Sequence, residues 1–176
     1  MLFWCQFEQV FGLYKINPDQ IKAINNLHPP QNPKEIQKLT RITAAMNRFI
    51  SQSAERCQPF FQLLHKWKNF EWTKECIDAF KELKWYLSTP HVLSRPKKEE
   101  VLYAYIAVTN HTISLVLVKT NDGVQRPVYY VSKSLQEVET RYLPLEKVVL
   151  AIIHAMKKLP HYFQAHTMVV LTQLPL

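Results

Sequence analysis

The first half of the chain repeats apolar residues every three or four positions, a spacing that predicts helices. Two of these stretches, 17–27 and 32–50, open alike, with asparagine as the N-cap and proline at the first helical position. A third helical stretch begins or bends at Pro59, and a fourth follows Thr73. The prolines and charged residues of 88–100 then predict a linker.

After residue 100 the pattern changes to that of strands. Three apolar runs, at 101–108, 113–120 and 126–132, predict a meander with a tight turn at 121–123. A helix near 144–159 and a last strand then complete the order β-β-β-α-β. We therefore predict an α/β (α+β) fold, in which a helical N-terminal region precedes this unit and the helix covers one face of the sheet.

The helix near 144–159 carries one acidic residue in an otherwise apolar setting. We expect its apolar stripe to face the core; the stripe consists of Leu145, Val148, Val149, Ile152, Ile153, Met156 and Leu159. Glu146 lies about 20° from Ile153 around the helix, so it borders this stripe. A carboxylate there is either a surface residue or one part of a site.

Composition excludes several classes of protein. The 47% of hydrophobic residues suffices for a core, and the only two glycines are isolated, so there is no glycine-rich phosphate loop. The seven histidines form no zinc motif. Three widely spaced cysteines predict reduced thiols and a cytoplasmic or nuclear location. No run of about 18 apolar residues occurs, so we predict no membrane span.

Positive charge is concentrated in one part of the chain. Of the net charge of +8, residues 33–98 contribute +7, with 13 Lys or Arg against 6 Asp or Glu. Such a surplus is typical of proteins that contact phosphate backbones, but solvated helical faces would show it too. The candidate nucleic-acid-binding residues are Lys34, Lys38, Arg41, Arg48, Lys66, Lys68, Lys81 and Lys84.

Three blocks of sequence resemble the Pol polyproteins of gypsy-type LTR retrotransposons. The segment 128–166, "VYYVSKSLQEVETRYLPLEKVVLAIIHAMKKLPHYFQAH", resembles the third strand and first helix of their RNase H-like domain. The segment 70–96, "FEWTKECIDAFKELKWYLSTPHVLSRP", resembles their connection, and the region from "INPDQIKAINNL" to "NRFI" resembles the reverse transcriptase thumb. We accordingly divide the chain into four parts: 1–15, unassigned; 16–69, thumb-like helices; 70–100, connection helix and linker; and 101–176, an RNase H-like domain that we expect to be C-terminally truncated.

The resemblance also implies where a catalytic site would lie. In active members of the family, three carboxylates bind two Mg²⁺ ions that cleave RNA in RNA–DNA hybrids. Glu146 matches the family's glutamate, whereas Ala107 and Gln173 stand where the family has aspartates. We therefore expect Glu146 to be an inactive relic and expect no metal or other cofactor; a salt-bridged surface residue and a working ligand are the alternatives.

These features lead to one expected function and two rivals. No Tyr-x-Asp-Asp occurs, so the polymerase palm is absent from this sequence. We expect a catalytically inactive reverse transcriptase/RNase H-like remnant that binds RNA–DNA hybrid or another duplex weakly, with no membrane partner. The first rival is an active ribonuclease H, and the second is a non-binding fragment or protein-interaction module.

Overall fold

A computed structural model of the protein describes residues 13–65, 70–89 and 92–172, and it confirms the predicted fold class. The helices are α1 (Pro18–Asn25), α2 (Pro33–Ala45), α3 (Ser53–Arg56), α4 (Gln58–His65), α5 (Lys74–Ser88), α6 (Glu137–Thr140), α7 (Pro144–Lys158) and α8 (Pro160–Ala165). The strands are β1 (Leu13–Lys15), β2 (Val92–Ser94), β3 (Leu102–Val108), β4 (Thr112–Asn121), β5 (Val124–Ser134) and β6 (Met168–Leu171). Within these ranges, no helix is long and apolar enough to cross a membrane.

Asparagine caps start the first two helices, as the sequence predicts. The Asn17 side chain accepts a hydrogen bond from the Asp19 amide at 2.9 Å, and the Asn32 side chain accepts one from the Glu35 amide at 3.0 Å. Helix α2 ends at Ala45, and a short 3-10 helix continues to Phe49, so the predicted helix over 32–50 is interrupted. The stretch around Pro59 is also divided, into α3 and α4.

The β-β-β-α-β order builds a four-stranded sheet in the order β5-β4-β3-β6. Strands β3, β4 and β5 form the antiparallel meander, and β6 returns parallel to β3 after α7. The β4–β5 turn has positive φ at Asp122 (49°) and Gly123 (77°), as a tight two-residue hairpin turn requires. The register shifts opposite Leu117/Val118, beside Pro127, which has no N–H to donate to the ladder.

A second, two-stranded sheet was not predicted. Strand β1 pairs antiparallel with β2, so that Tyr14 lies opposite Leu93. Strand β2 lies inside the segment 88–100 that the sequence predicts to be a linker. Three residues are too few for an alternating pattern to be visible, because a strand of this length has only one or two side chains on each face.

The buried side chains form two hydrophobic clusters. The first cluster joins the helices α1, α2, α4 and α5 with β2 and includes Ile24, Phe60 and Leu87. The second cluster lies between the four-stranded sheet and helices α7 and α8, and includes Leu117 and Ala155. Residues of α3 and β5 connect the two halves: Ser53 and the Ala54 amide both hydrogen-bond the Ser132 hydroxyl, at 2.6 and 2.9 Å.

Helix α7 packs on the sheet with a different face from the one that its apolar stripe predicts. The face against β3 and β4 carries Val148, Ala151, Ala155 and Leu159, all buried. Leu145, Val149, Ile153 and Met156, which we expected in the core, are exposed. The helix is thus rotated by most of one 100° residue step, and two small residues, Ala151 and Ala155, lie in the face that packs on the sheet.

Candidate functional site

Glu146 lies in the first turn of α7, where its carboxylate has a structural partner. Its Oε2 accepts a hydrogen bond from the Leu143 amide at 2.8 Å, so the side chain turns back along its own helix. This is the reciprocal half of a capping box, which satisfies one of the amides left unpaired at a helix start. The side chain is exposed. Glu146 therefore acts as a helix cap in this fold.

Ala107 lies near the end of β3, opposite Ser114 of β4. Its methyl group offers no ligand atom, and its backbone carbonyl is contacted by the Ser114 hydroxyl at 3.5 Å. Both residues line an open cavity of about 490 Å³ that runs along the sheet. No Asp, Glu, His or Cys is among the described residues that line this cavity, which include Tyr105 and Tyr130.

A buried cation lies directly beyond this end of β3. The Lys147 ammonium donates to the carbonyl oxygens of Thr109 and Asn110, both at 3.3 Å, and the residue is only 6% exposed. Lys147 thus joins the first turn of α7 to the β3–β4 turn. Its charge repels any other cation that approaches this edge of the sheet.

The two described residues of this position, Ala107 and Glu146, do not by themselves form a Mg²⁺ site. Mg²⁺ requires several oxygen ligands in near-octahedral geometry, whereas Ala107 supplies none and one oxygen of Glu146 is engaged by an amide. Throughout the described ranges, no group of three or more His, Cys, Asp or Glu residues is placed to hold a metal ion. Gln173, the third position named from the sequence, lies outside the described residues.

Three of the predicted nucleic-acid-binding residues share one exposed stripe of α2. Lys34, Lys38 and Arg41 are spaced i, i+4 and i+7, so their side chains lie on one helical face over about 10 Å. No carboxylate lies within ion-pair distance of any of the three in the described part of the chain. The α2 stripe therefore presents three uncompensated positive charges to solvent.

The other predicted cations are placed differently. The Lys84 ammonium donates to the carbonyls of Asn25 and Leu27, at 2.9 and 2.6 Å, and stabilises the end of α1. Arg48 is partly buried, with its guanidinium over the Phe49 and Tyr14 rings. Lys81 is exposed on α5, whereas Lys66 and Lys68 lie outside the described residues.

A second basic surface was not found from the sequence. A shallow cleft of about 390 Å³ separates the β1–β2 sheet from α8; it is lined by Tyr14, Arg95, Pro96, Lys98, His161, Tyr162 and His166. None of these described lining residues is acidic. Burial raises the pKa of the Tyr162 hydroxyl, and the nearby Arg48 and Arg95 guanidinium groups oppose that rise. We call this surface the junction cleft.

The order of the elements, a helical region followed by a β-β-β-α-β unit, is that of an RNase H-like fold preceded by helices. Residues 72–170 match the family described as "RNase H-like domain found in reverse transcriptase". That match covers more than half of the chain, and the chain belongs to this family. The β-β-β-α-β unit built by β3, β4, β5, α7 and β6 lies almost entirely within it.

Its relatives are Pol polyproteins, which confirms the resemblance to retroelement Pol. The chain is 27% identical to the Retrovirus-related Pol polyprotein from transposon opus and 30% identical to that from transposon 297, both of Drosophila melanogaster. Each comparison covers 84% of this chain but only 16% and 14% of the respective polyprotein. This chain thus spans about a seventh of the length of those relatives.

Two solved structures share the fold over nearly the whole chain. The foamy viral protease-reverse transcriptase dRH in complex with double-stranded DNA superposes with a TM-score of 0.79 and 19% identity, over 96% of this chain and 31% of that one. The foamy viral protease-reverse transcriptase in complex with an RNA/DNA hybrid gives 0.77 and 20%, over 96% and 24%. At these identities the likeness concerns the fold.

Proposed function

We propose that this retroelement-derived reverse transcriptase/RNase H-like chain binds nucleic acid duplexes weakly and does not cleave them. The observation that carries the proposal is the α2 stripe, in which Lys34, Lys38 and Arg41 face solvent and have no carboxylate partner among the described residues. Three cations in a row can neutralise phosphates of a nucleic acid duplex whatever the base sequence of the duplex. The related foamy viral structures contain double-stranded DNA or an RNA/DNA hybrid, which supports the choice of ligand.

The chemistry of the expected site supports the second half of the proposal, the absence of cleavage. Two-metal hydrolysis needs anionic ligands on both ions. At this site Ala107 contributes none, Glu146 caps α7, and the Lys147 ammonium already lies at the β3–β4 turn. We therefore propose that Glu146 is an inactive relic of the family's catalytic site, because the two matching positions, Ala107 and Gln173, are not acidic.

The domain limits are part of the same proposal. Residues 16–69 correspond to thumb-like helices, 70–100 to the connection, and 101–176 to the RNase H-like domain. The two hydrophobic clusters support a division close to residue 100, because one contains residues up to Leu93 and the other begins at Leu102.

Salt-dependent binding tests the first half of the proposal. We expect the chain to bind a 20-base-pair DNA duplex and an RNA–DNA hybrid in fluorescence anisotropy at low salt. Replacing Lys34, Lys38 and Arg41 by alanine should weaken binding and reduce the slope of log K against log[salt] by about 2.7, from three lost phosphate contacts.

The matched control for this test removes the same charge elsewhere. Arg126, Lys157 and Lys158 are exposed and lie on β5 and α7, in the other half of the chain, so the triple alanine variant at these positions should keep most of the affinity. Equal losses in both triple variants would refute a specific role of α2. Absence of binding by the unmodified chain at low salt would favour the non-binding interaction module.

Hybrid cleavage with Mg²⁺ or Mn²⁺ tests the second half. We expect no cleavage of a labelled RNA–DNA hybrid above the level of the Glu146→Gln variant. Cleavage that disappears in this variant would establish the rival reading, an active ribonuclease H. A chain carrying Ala107→Asp and Gln173→Asp is the positive comparison, since it restores the ligands that the family uses.

A further inference from the structure

Beside the face of α7 that packs on the sheet lies a second face that is apolar and, among the described residues, exposed. Leu145 is 46% exposed, Val149 49%, Ile153 44% and Met156 48%. These positions follow the i, i+4, i+8 and i+11 spacing of one helical stripe. The contacts with β3 and β4 come from a neighbouring face of α7, centred about 110° around the helix from these four residues, so the second cluster does not need these side chains. We call them the α7 outer stripe.

Charges border the outer stripe at both of its ends. Glu146 and Lys157 are exposed and stand 11 positions apart, which brings them within about 20° of the same direction around the helix and separates them by about 16 Å along it. Both therefore lie on one side of the stripe, with the acid near the start of α7 and the base near its end. Lys157 has no carboxylate within ion-pair distance in the described part of the chain.

This arrangement is self-complementary under one symmetry. If a second helix of the same sequence packs antiparallel on the stripe, a two-fold axis passes between the two helices at the level of residue 151. Leu145 then meets Met156 of the partner subunit, and Val149 meets Ile153 of the partner subunit. The same axis brings Glu146 to the partner's Lys157, and the pair occurs twice. A parallel packing would leave each acid near the partner's helix start, far from Lys157.

We infer that the α7 outer stripe is a homodimer interface, formed by two copies of this chain with their α7 helices antiparallel. A C2 interface of this kind uses the same patch on both copies. The central contacts are apolar, and the rim is formed by the Glu146–Lys157 pairs, as in other protein interfaces. Because the patch is one helix wide, the dimer is weak, with a dissociation constant on the order of 10⁻⁵ M.

Sedimentation velocity of the full chain tests this interface, at protein concentrations from about 1 to 300 µM in low salt. We expect a reversible monomer–dimer equilibrium. Val149→Glu with Ile153→Glu should abolish it, while circular dichroism shows an unchanged helical content. A chain that stays monomeric over the whole range would overturn the inference, and the stripe would then serve a partner of different sequence.

Charge exchange tests the antiparallel geometry. Lys157→Glu should weaken the dimer about tenfold or more, because it creates two like-charge pairs at the rim. Glu146→Lys should do the same, and its helical content is measured beside it by circular dichroism, because this change also removes the carboxylate that accepts from the Leu143 amide. The double variant, Glu146→Lys with Lys157→Glu, should recover an affinity within about threefold of the original. Glu55→Lys, an exposed change of the same charge on α3, is the control and should leave the dimer unchanged. Failure of the double variant to recover at unchanged helical content, or an undiminished dimer in Lys157→Glu, would overturn the antiparallel arrangement.

Discussion

At the scale of single residues, Lys147 connects the start of α7 to the β3–β4 turn. Its ammonium is the donor to the Thr109 and Asn110 carbonyls and is nearly excluded from solvent. Replacing Lys147 by alanine leaves both carbonyls without this partner, so we expect the free energy of unfolding to fall by about 2 kcal/mol. Urea denaturation measures the change. Lys158→Ala, an exposed change on the same helix, should stay within about 0.5 kcal/mol.

Glu146, the residue before Lys147, shows what can and cannot be predicted from the sequence for a single side chain. Glu146 is identified as the family's glutamate from the sequence, but its hydrogen bond to the Leu143 amide is a matter of rotamer and distance. Lys147 was not singled out, because a lysine beside an apolar stripe is normally an exposed residue. Its burial depends on the turn after β3, which lies almost 40 positions earlier in the chain.

At the scale of elements, α7 makes folding stability depend on pH through His154. Burial lowers the pKa of His154 below its usual 6.5, and Lys158 and Lys133 lower it further. The unfolded chain therefore binds the proton more tightly than the folded chain, and stability falls as the pH drops below about 6.5. We expect the midpoint of urea unfolding to decrease from pH 7 to pH 5.5. In the His154→Leu variant the midpoint should decrease less over the same pH range. If it decreases as much as in the unmodified chain, other titratable groups cause the pH dependence.

The elements themselves were largely predictable, but their packing was less so. Strands β3, β4 and β5 and helix α7 agree with the predicted limits within two residues, because their periodic patterns are long. The orientation of α7 was wrong, since the apolar pattern covers more of its surface than the sheet can bury. The buried face contains the small residues Ala151 and Ala155, and how side chains of different size fit against a sheet is a matter of shape that a hydrophobicity pattern does not contain.

At the scale of the whole molecule, the junction cleft brings together cations and aromatic rings from distant segments. We expect it to hold single-stranded nucleic acid, with phosphates near Arg95 and Lys98 and a base against Tyr162. Replacing Arg95 and Lys98 by alanine should reduce the salt slope for a ten-nucleotide oligothymidine by about 1.4. Fluorescence titration gives the slopes. Arg126→Ala with Lys158→Ala is the control, and an equal loss there would contradict the prediction.

The junction cleft could not be predicted from the sequence, because its residues are far apart in the chain. Its residues come from positions 14, 95–98 and 161–166, and no local pattern relates them. Only the pairing of β1 with β2 and the return of the chain through α7 and α8 place them side by side. The surplus of charge over 33–98 was visible in the sequence, but its partition between the α2 stripe, the end of α1 and the junction cleft was not.

The pairing of β1 with β2 also has a consequence for folding during synthesis on the ribosome. Leu13 and Ser94 are register partners although 80 residues lie between them. A ribosome that adds about 5–20 residues per second needs roughly 4–16 s to supply β2 after β1 has been made. During that interval β1 has an unpaired edge, because the helices α1–α5 are synthesised before β2 is available to pair with it. On a polysome, where neighbouring chains are at the same stage, the β2 of one chain can pair with the β1 of the next and exchange the strand between molecules.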